Sequence, residues 1–221
     1  MRPGSNLPAD PPAPASVQAQ AGELDAAPAL PAYIGIAMEH VRLVKSDQDA
    51  AASAADLLAM DVIGFDTESK PTFMKGEVST GPHLIQLASD DTVWLFQIGA
   101  QPPSAAIDAV LRAVLESPAI LKVGFGLADD IKRLRAKLSI ETANVLDLAT
   151  AMKQRGERNA LGAKTAVARF FGQALQKSKK ITTTNWAMSR LSEKQILYAA
   201  DDAHVALKLY RHWRAGQAGK R

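Results

Sequence analysis

Apolar positions along the chain fall into short unbroken runs and into stripes spaced at three and four. Asp61–Val62–Ile63–Gly64–Phe65–Asp66 is an apolar run of strand length that ends on an acid. Pro82–His83–Leu84–Ile85–Gln86–Leu87–Ala88 and Thr92–Val93–Trp94–Leu95–Phe96 are two more, and the turn-like Ser89–Asp90–Asp91 between them predicts a hairpin. Residues 119–124 predict a buried strand, and Val145–Leu146 a short one leading to Asp147. Ile107, Val110, Leu111 and Val114 share one face of a helix predicted over 103–115, with Pro103 at its start. Leu127, Ile131, Leu134 and Leu138 repeat at the helical period. The second half predicts helices over 160–171 and 192–213. Strands and helices alternating around a mixed sheet predict a three-layer α/β fold.

Composition sets the limits of that folded part. Residues 1–32 hold 7 of the 12 prolines and few aromatic or β-branched residues. Such a stretch buries too little apolar surface to offset the entropy of ordering it. It is expected to be disordered or loosely docked, with the domain over 33–215 and a flexible tail over 216–221. A length of 221 residues with 47% apolar residues suits one such domain. The absence of cysteine excludes a disulfide scaffold, a Cys-ligated zinc site and a Cys nucleophile. No apolar run reaches membrane-spanning length, and the N-terminus lacks the basic-then-apolar pattern of a secretory signal, so a cytoplasmic location is expected.

Chemistry concentrates in three acidic segments. In Asp66–Thr67–Glu68, residues two apart on a strand point the same way, so both carboxylates face one space. Crowded like charges are costly unless a cation lies between them. A polar turn after a strand explains this segment equally well when it is taken alone. Gly124–Phe125–Gly126–Leu127–Ala128–Asp129–Asp130 places two acids at a helix start, where the dipole alone favours them. Its two glycines fall short of a dinucleotide fingerprint. In Tyr198–Ala199–Ala200–Asp201–Asp202, Tyr198 and Asp202 lie one turn apart on one helical face, while Asp201 points about 100° away and is expected to be solvated. The four histidines have no zinc-ligand spacing, and no nucleophile elbow or phosphate-binding loop is present.

Taken together, the three segments resemble the DEDD superfamily of 3′–5′ exonucleases in its tyrosine subgroup, near ribonuclease D and the Werner-syndrome-type exonuclease domain. The resemblance covers roughly residues 40–212. It rests on Ile63–Gly64–Phe65–Asp66–Thr67–Glu68, on Lys122–Val123–Gly124–Phe125–Gly126 with Asp130 and Leu134, and on Tyr198–Ala199–Ala200–Asp201–Asp202–Ala203. Leu84–Ile85–Gln86–Leu87, Val145–Leu146–Asp147–Leu148, Thr184–Asn185–Trp186 and Leu191–Ser192–Glu193–Lys194–Gln195 match the intervening elements. The resemblance implies a ribonuclease-H-like three-layer fold around a mixed sheet of about five strands. It also implies Asp66, Glu68, Asp130 and Asp202 as ligands of two divalent cations, Mg²⁺ or Mn²⁺, with Tyr198 orienting the attacking water. The implied reaction removes nucleoside 5′-monophosphates from the 3′ end of DNA or RNA.

Charge distribution supports a polyanionic partner. The formal net charge is only +3, yet residues 150–190 carry nine basic residues against Glu157 alone. Lys179 and Lys180 are the expected phosphate contacts, and Thr67, Phe125 and Met74 the other expected substrate contacts. Trp186 reads as core. Two features depart from the family pattern. The loop from Lys70 to Gly81 is long and lies beside the active face, and the helical nucleic-acid-binding appendage of full ribonuclease D proteins is not in this sequence. Alternative readings are a non-catalytic module binding single strands and a scavenger of short oligoribonucleotides.

Overall fold

Six stretches pair into one sheet: β1 (Val41–Val44), β2 (Val62–Glu68), β3 (Leu84–Ala88), β4 (Val93–Gln97), β5 (Leu121–Gly124) and β6 (Val145–Asp147). The computed structural model describes residues 29–74 and 76–219. Strand order is β1-β4-β3-β2-β5-β6. Only β3 runs against its neighbours, through the expected hairpin with β4 and through its pairing with β2. The β1–β4, β2–β5 and β5–β6 pairs are parallel. The sheet thus has one strand more than the roughly five expected. The extra strand is β1, whose four residues Val41–Arg42–Leu43–Val44 are too short to stand out as a run.

Among the described residues, seven α-helices accompany the sheet: α1 (Asp47–Leu58), α2 (Ala105–Leu115), α3 (Ala128–Leu138), α4 (Leu148–Ala151), α5 (Ala163–Phe171), α6 (Lys179–Thr182) and α7 (Glu193–Ala218). α1 carries few large apolar residues, so it has little helical stripe, but its start is marked by a capping box of Ser46 and Asp49. α7 begins with the same device, built from Ser192 and Gln195, and continues to Ala218, past the expected end at Trp213. No helix among the described residues is long and apolar enough to cross a membrane.

The strand alternation sorts the two faces. Ile63 and Phe65 of β2, Ile85 and Leu87 of β3, and Trp94 and Phe96 of β4 pack with Leu57 of α1, Leu111 of α2 and Leu134 of α3. On the other face, Leu84, Ala88, Val93 and Leu95 pack with Ala199, Ala200 and Ala203 of α7. Val62 and Val123 meet α4, α5 and the C-terminal half of α7. This is the expected three-layer arrangement, with the sheet between two helical layers.

Two residues settle local geometry. Gly64 of β2 faces α7, where a Cβ would lie 2.0 Å from the carbonyl oxygen of Ala203. Only a residue without a side chain lets the helix lie this close. Lys122 of β5 is fully buried, and its ammonium donates to the carbonyls of Ser117 at 2.7 Å and Ile120 at 2.8 Å. It satisfies acceptors in the turn after α2, and burial pushes its pKa down to about 8.

The segment before the sheet is docked where it is described. The Ala174 amide donates to the Pro31 carbonyl at 2.8 Å, and the Tyr33 amide donates to the Ala174 carbonyl at 3.0 Å. Tyr33 stacks on Phe171. The remainder of the Pro/Ala-rich start, 1–28, lies outside the described residues, as do 220 and 221.

Candidate active site

The parallel strands β2 and β5 end at the same edge of the sheet, where open α/β sheets bind ligands. β2 delivers Asp66 and Glu68 at that edge, both on the α7 side because the strand alternates. α7 crosses β2 and presents Asp202, with Tyr198 one turn earlier. Beyond β5, the turn Phe125–Gly126–Leu127 leads into α3 and brings Asp130 over from the opposite layer. Asp147 holds that turn, accepting from the amides of Gly126 at 2.9 Å, Leu127 at 3.2 Å and Ala149 at 2.9 Å. Gly126 takes φ 71°, a left-handed conformation that favours glycine.

Electrostatics shows that the four carboxylates share one space. Burial and then the charges of Asp202, Asp130 and Glu68 hold Asp66 well above the usual carboxylate range. Burial, followed by the charge of Asp202, pushes Glu68 up to about 8. Asp130 and Asp202 are raised by burial as well. Every donor in the set is a carboxylate oxygen, the chemistry that suits Mg²⁺ or Mn²⁺. As they stand, no three Asp, Glu or His side chains among the described residues are gathered tightly enough to hold one ion. An ammonium takes part in the cluster instead, with Lys177 Nζ 2.6 Å from Asp202 Oδ1.

The five expected catalytic positions, Asp66, Glu68, Asp130, Tyr198 and Asp202, therefore meet at one edge, and the expected substrate contacts fare differently. Thr67 is 8% exposed and its hydroxyl donates to Asp130 Oδ1, so this side chain orients a carboxylate rather than offering a surface. Phe125 is half-buried, packed against the core formed by α4, α5 and α7. Met74 is 75% exposed on the loop that follows Glu68, beside the equally exposed Phe73. Lys179 and Lys180 are exposed on α6, which Thr182 ties to the site through a hydroxyl contact of 2.9 Å with Tyr198. Trp186 is fully buried, as expected.

Two expectations need correction. Asp201 is not solvated: it is half-buried and accepts from the Ile36 amide at 2.8 Å, pinning the segment ahead of β1 onto α7. Burial pushes its pKa up to about 6. The basic stretch is also less free than its charge count implies, because Arg169 pairs with Glu157 and Lys177 with Asp202. Lys177 is the functional-site residue that sequence reasoning missed. It stood among nine basic residues, and nothing in its spacing marked it as facing acids rather than solvent. Burial lowers the Lys177 pKa, yet the charge and hydrogen bond of Asp202, with the charges of Tyr198 and Asp66, together outweigh it and hold the ammonium above its ordinary value.

An α/β layer fold whose parallel strands end on four carboxylates and a tyrosine defines a catalytic domain of the nuclease class. The chain belongs to the 3′–5′ exonuclease family, whose model matches residues 41–214. It is similar to the exonuclease mut-7 homolog of Homo sapiens, 28% identical over 200 residues, covering 80% of this chain and 22% of that protein. It is also similar to the bifunctional 3′–5′ exonuclease/ATP-dependent helicase WRN of Mus musculus, 29% identical over 154 residues, covering 68% of this chain and 11% of that protein. The chain thus spans under a quarter of the length of these two relatives. Among solved structures, the EXO domain of Aedes aegypti Nibbler superposes with a TM-score of 0.72 at 26% identity, covering 84% of this chain and 92% of that one. Trypanosoma brucei RNase D in complex with RNA U12 shares the fold, with a TM-score of 0.69 at 21% identity, covering 78% of this chain and 61% of that one. The fold is ribonuclease-H-like.

Proposed function

We propose that the chain is a metal-dependent 3′–5′ exonuclease domain that hydrolyses the terminal phosphodiester of DNA or RNA and releases nucleoside 5′-monophosphates. One observation carries the reading: acids from three separated segments meet at the end of β2, where the charges of Asp202 and Asp130 add to burial in raising the pKa of Asp66 and Glu68. Acids crowded in this way are compensated by protons or by a cation, and a divalent cation bound among them replaces the protons. Asp66, Glu68, Asp130 and Asp202 would hold two divalent cations, Mg²⁺ or Mn²⁺. When bound, such a pair supplies charge that activates water and stabilises the leaving oxygen.

The remaining residues bind and orient. Burial, then the charge of Asp202, raises the Tyr198 pKa, so its hydroxyl stays protonated at neutral pH. Its role is to position the attacking water through a hydrogen bond, not to take its proton. Lys179 and Lys180, exposed on α6 next to Tyr198, fit phosphates of the strand leading into the site. The exposed Met74 and the half-buried Phe125 offer apolar surface to the last bases, which suits a single-stranded or frayed end. The naming of one relative as an exonuclease and of the other as a 3′–5′ exonuclease, and the RNA bound by the RNase D neighbour, support a nucleic-acid substrate.

The test uses matched DNA and RNA oligonucleotides carrying a 5′ label, with Mg²⁺, Mn²⁺ or chelator. A metal-dependent ladder of single-nucleotide steps from the 3′ end, lost in Asp66→Ala with the fold retained, is the expected result. Internal cuts, cleavage of a 3′-blocked strand, or full activity of the Asp66 variant would overturn the reading.

A further inference from the structure

Lys177 occupies an unusual position for a lysine in a basic surface segment. Its ammonium lies 2.6 Å from Asp202 Oδ1 and 5.8 Å from the centre of the Tyr198 ring. Its side chain is 29% exposed and that of Asp202 6%. The positive charge acts on Asp66 and Glu68 as well as on Asp202. The backbone leading to it is held by hydrogen bonds and packing. Gly172, at φ 63°, ends α5, Ala174 is hydrogen-bonded on both sides to Pro31 and Tyr33, and Leu175 is buried. Lys177 follows two residues later, at the end of a strap that aims it into the carboxylates. Its neighbours Lys179 and Lys180 point to solvent from α6.

We propose that Lys177 is a resident counter-ion of the carboxylate cluster, holding Asp202 in the metal-free protein and leaving when a divalent ion binds. The proposal rests on the metal-dependent reading above and goes beyond it by assigning a competitor for the metal within the chain. The chemistry is simple charge compensation. An ammonium on Asp202 and a divalent ion on Asp202 exclude one another at a few ångströms, because both are positive and want the same oxygens. Lys177 therefore keeps the acids from repelling one another in the absence of metal, and it weakens metal affinity by the fraction of time it holds the site. Once displaced, its flexible four-carbon stem carries the charge to the mouth of the site beside α6.

The experiment has two arms. In the wild-type chain, reductive methylation of lysines is followed by peptide mass spectrometry in chelator and in Mn²⁺. The Lys177 amine is expected to react several-fold faster with Mn²⁺, with Lys179 and Lys180 unchanged as internal controls. In the second arm, Mn²⁺ binding is read by electron paramagnetic resonance for wild type, Lys177→Met and Lys177→Arg. If the ammonium holds the site nine-tenths of the time, Lys177→Met tightens Mn²⁺ binding about tenfold. The same variant is expected to melt earlier than wild type in chelator and to gain more from Mn²⁺, with Lys177→Arg close to wild type in chelator. Equal labelling of Lys177 with and without Mn²⁺ overturns the proposal, as does unchanged Mn²⁺ affinity in Lys177→Met. If Lys177→Met does not fold, the labelling arm decides alone. Wild-type chain that takes up no Mn²⁺ would overturn the metal reading itself, and the proposal with it.

Discussion

Glu68→Gln should make the metal-free protein more stable while removing a proposed metal ligand. Burial and the charge of Asp202 raise the Glu68 pKa from 4.5 to about 8. In the unfolded chain Glu68 ionises near its ordinary value. Between these two values the folded state binds a proton that the unfolded state does not, so stability falls as pH rises through this window. At pH 7, about 2.5 pH units above the ordinary value, each unit is worth about 1.4 kcal/mol, which makes the penalty roughly 3 kcal/mol. Gln keeps the size and hydrogen bonding of the protonated acid without the penalty. Urea unfolding in chelator should therefore place Glu68→Gln about 3 kcal/mol above wild type at pH 7, with the gap closing towards pH 4 and widening towards pH 8. Other titrating groups contribute to both proteins, so the difference between them isolates Glu68. A gap that is absent, or independent of pH over this range, would refute the claim that the carboxylates crowd one another. Added Mn²⁺ should reverse the order, stabilising wild type and not the variant.

His83 is fully buried, its Nδ1 accepts from the Lys70 amide at 3.1 Å, and burial with nearby Lys137 pushes its pKa down to about 4. Its contribution to stability is present above pH 6.5 and lost as pH falls towards 4, so His83→Asn should flatten the acid limb of the stability curve measured in urea. Gly35→Ala would put a Cβ 2.1 Å from Asp201 Oδ1, displacing the acceptor of the Ile36 amide. A loss of about 1–3 kcal/mol is expected in chemical denaturation, with faster hydrogen exchange at Ile36. Lys122→Met leaves the carbonyls of Ser117 and Ile120 without their buried donor. It should cost about 1–3 kcal/mol by the same assay with the nuclease site intact. Trp186→Ala empties a fully buried position beneath Tyr198 and should destabilise by about 3–5 kcal/mol, read as a lower melting temperature.

Much of the architecture was legible because long-range packing follows local periodicity. The β3–β4 hairpin, α2, α3 and the Asp66–Glu68 pair on one strand face all follow from spacing that a single segment carries. β1 and α1 were not legible in the same way. Four residues make too short a run for β1, and α1 buries Ala50, Ser53 and Leu57, a stripe too small to stand out against alanine-rich background. The Ser46 and Asp49 capping box was the signal that could have found it. At the site, residue types identified the carboxylates, but partners were another matter. Thr67 turning to Asp130, Asp201 to Ile36 and Lys177 to Asp202 are pairings across 63, 165 and 25 positions in the chain. No periodicity within a segment encodes such a pairing.

The contact of Gly64 with Ala203 sets the gauge of the site. Asp66 lies two residues after Gly64 on β2, and Asp202 immediately precedes Ala203 on α7. Backbone meets backbone there, with no side chain as a spacer. The gap between the two acids is then a fixed dimension of the scaffold. Core side chains can be exchanged for others of similar volume, and α7 can lengthen at its far end, without retuning that gap. Drift in the apolar layers is decoupled from the chemistry, and a single added methyl group at Gly64 would couple the two again.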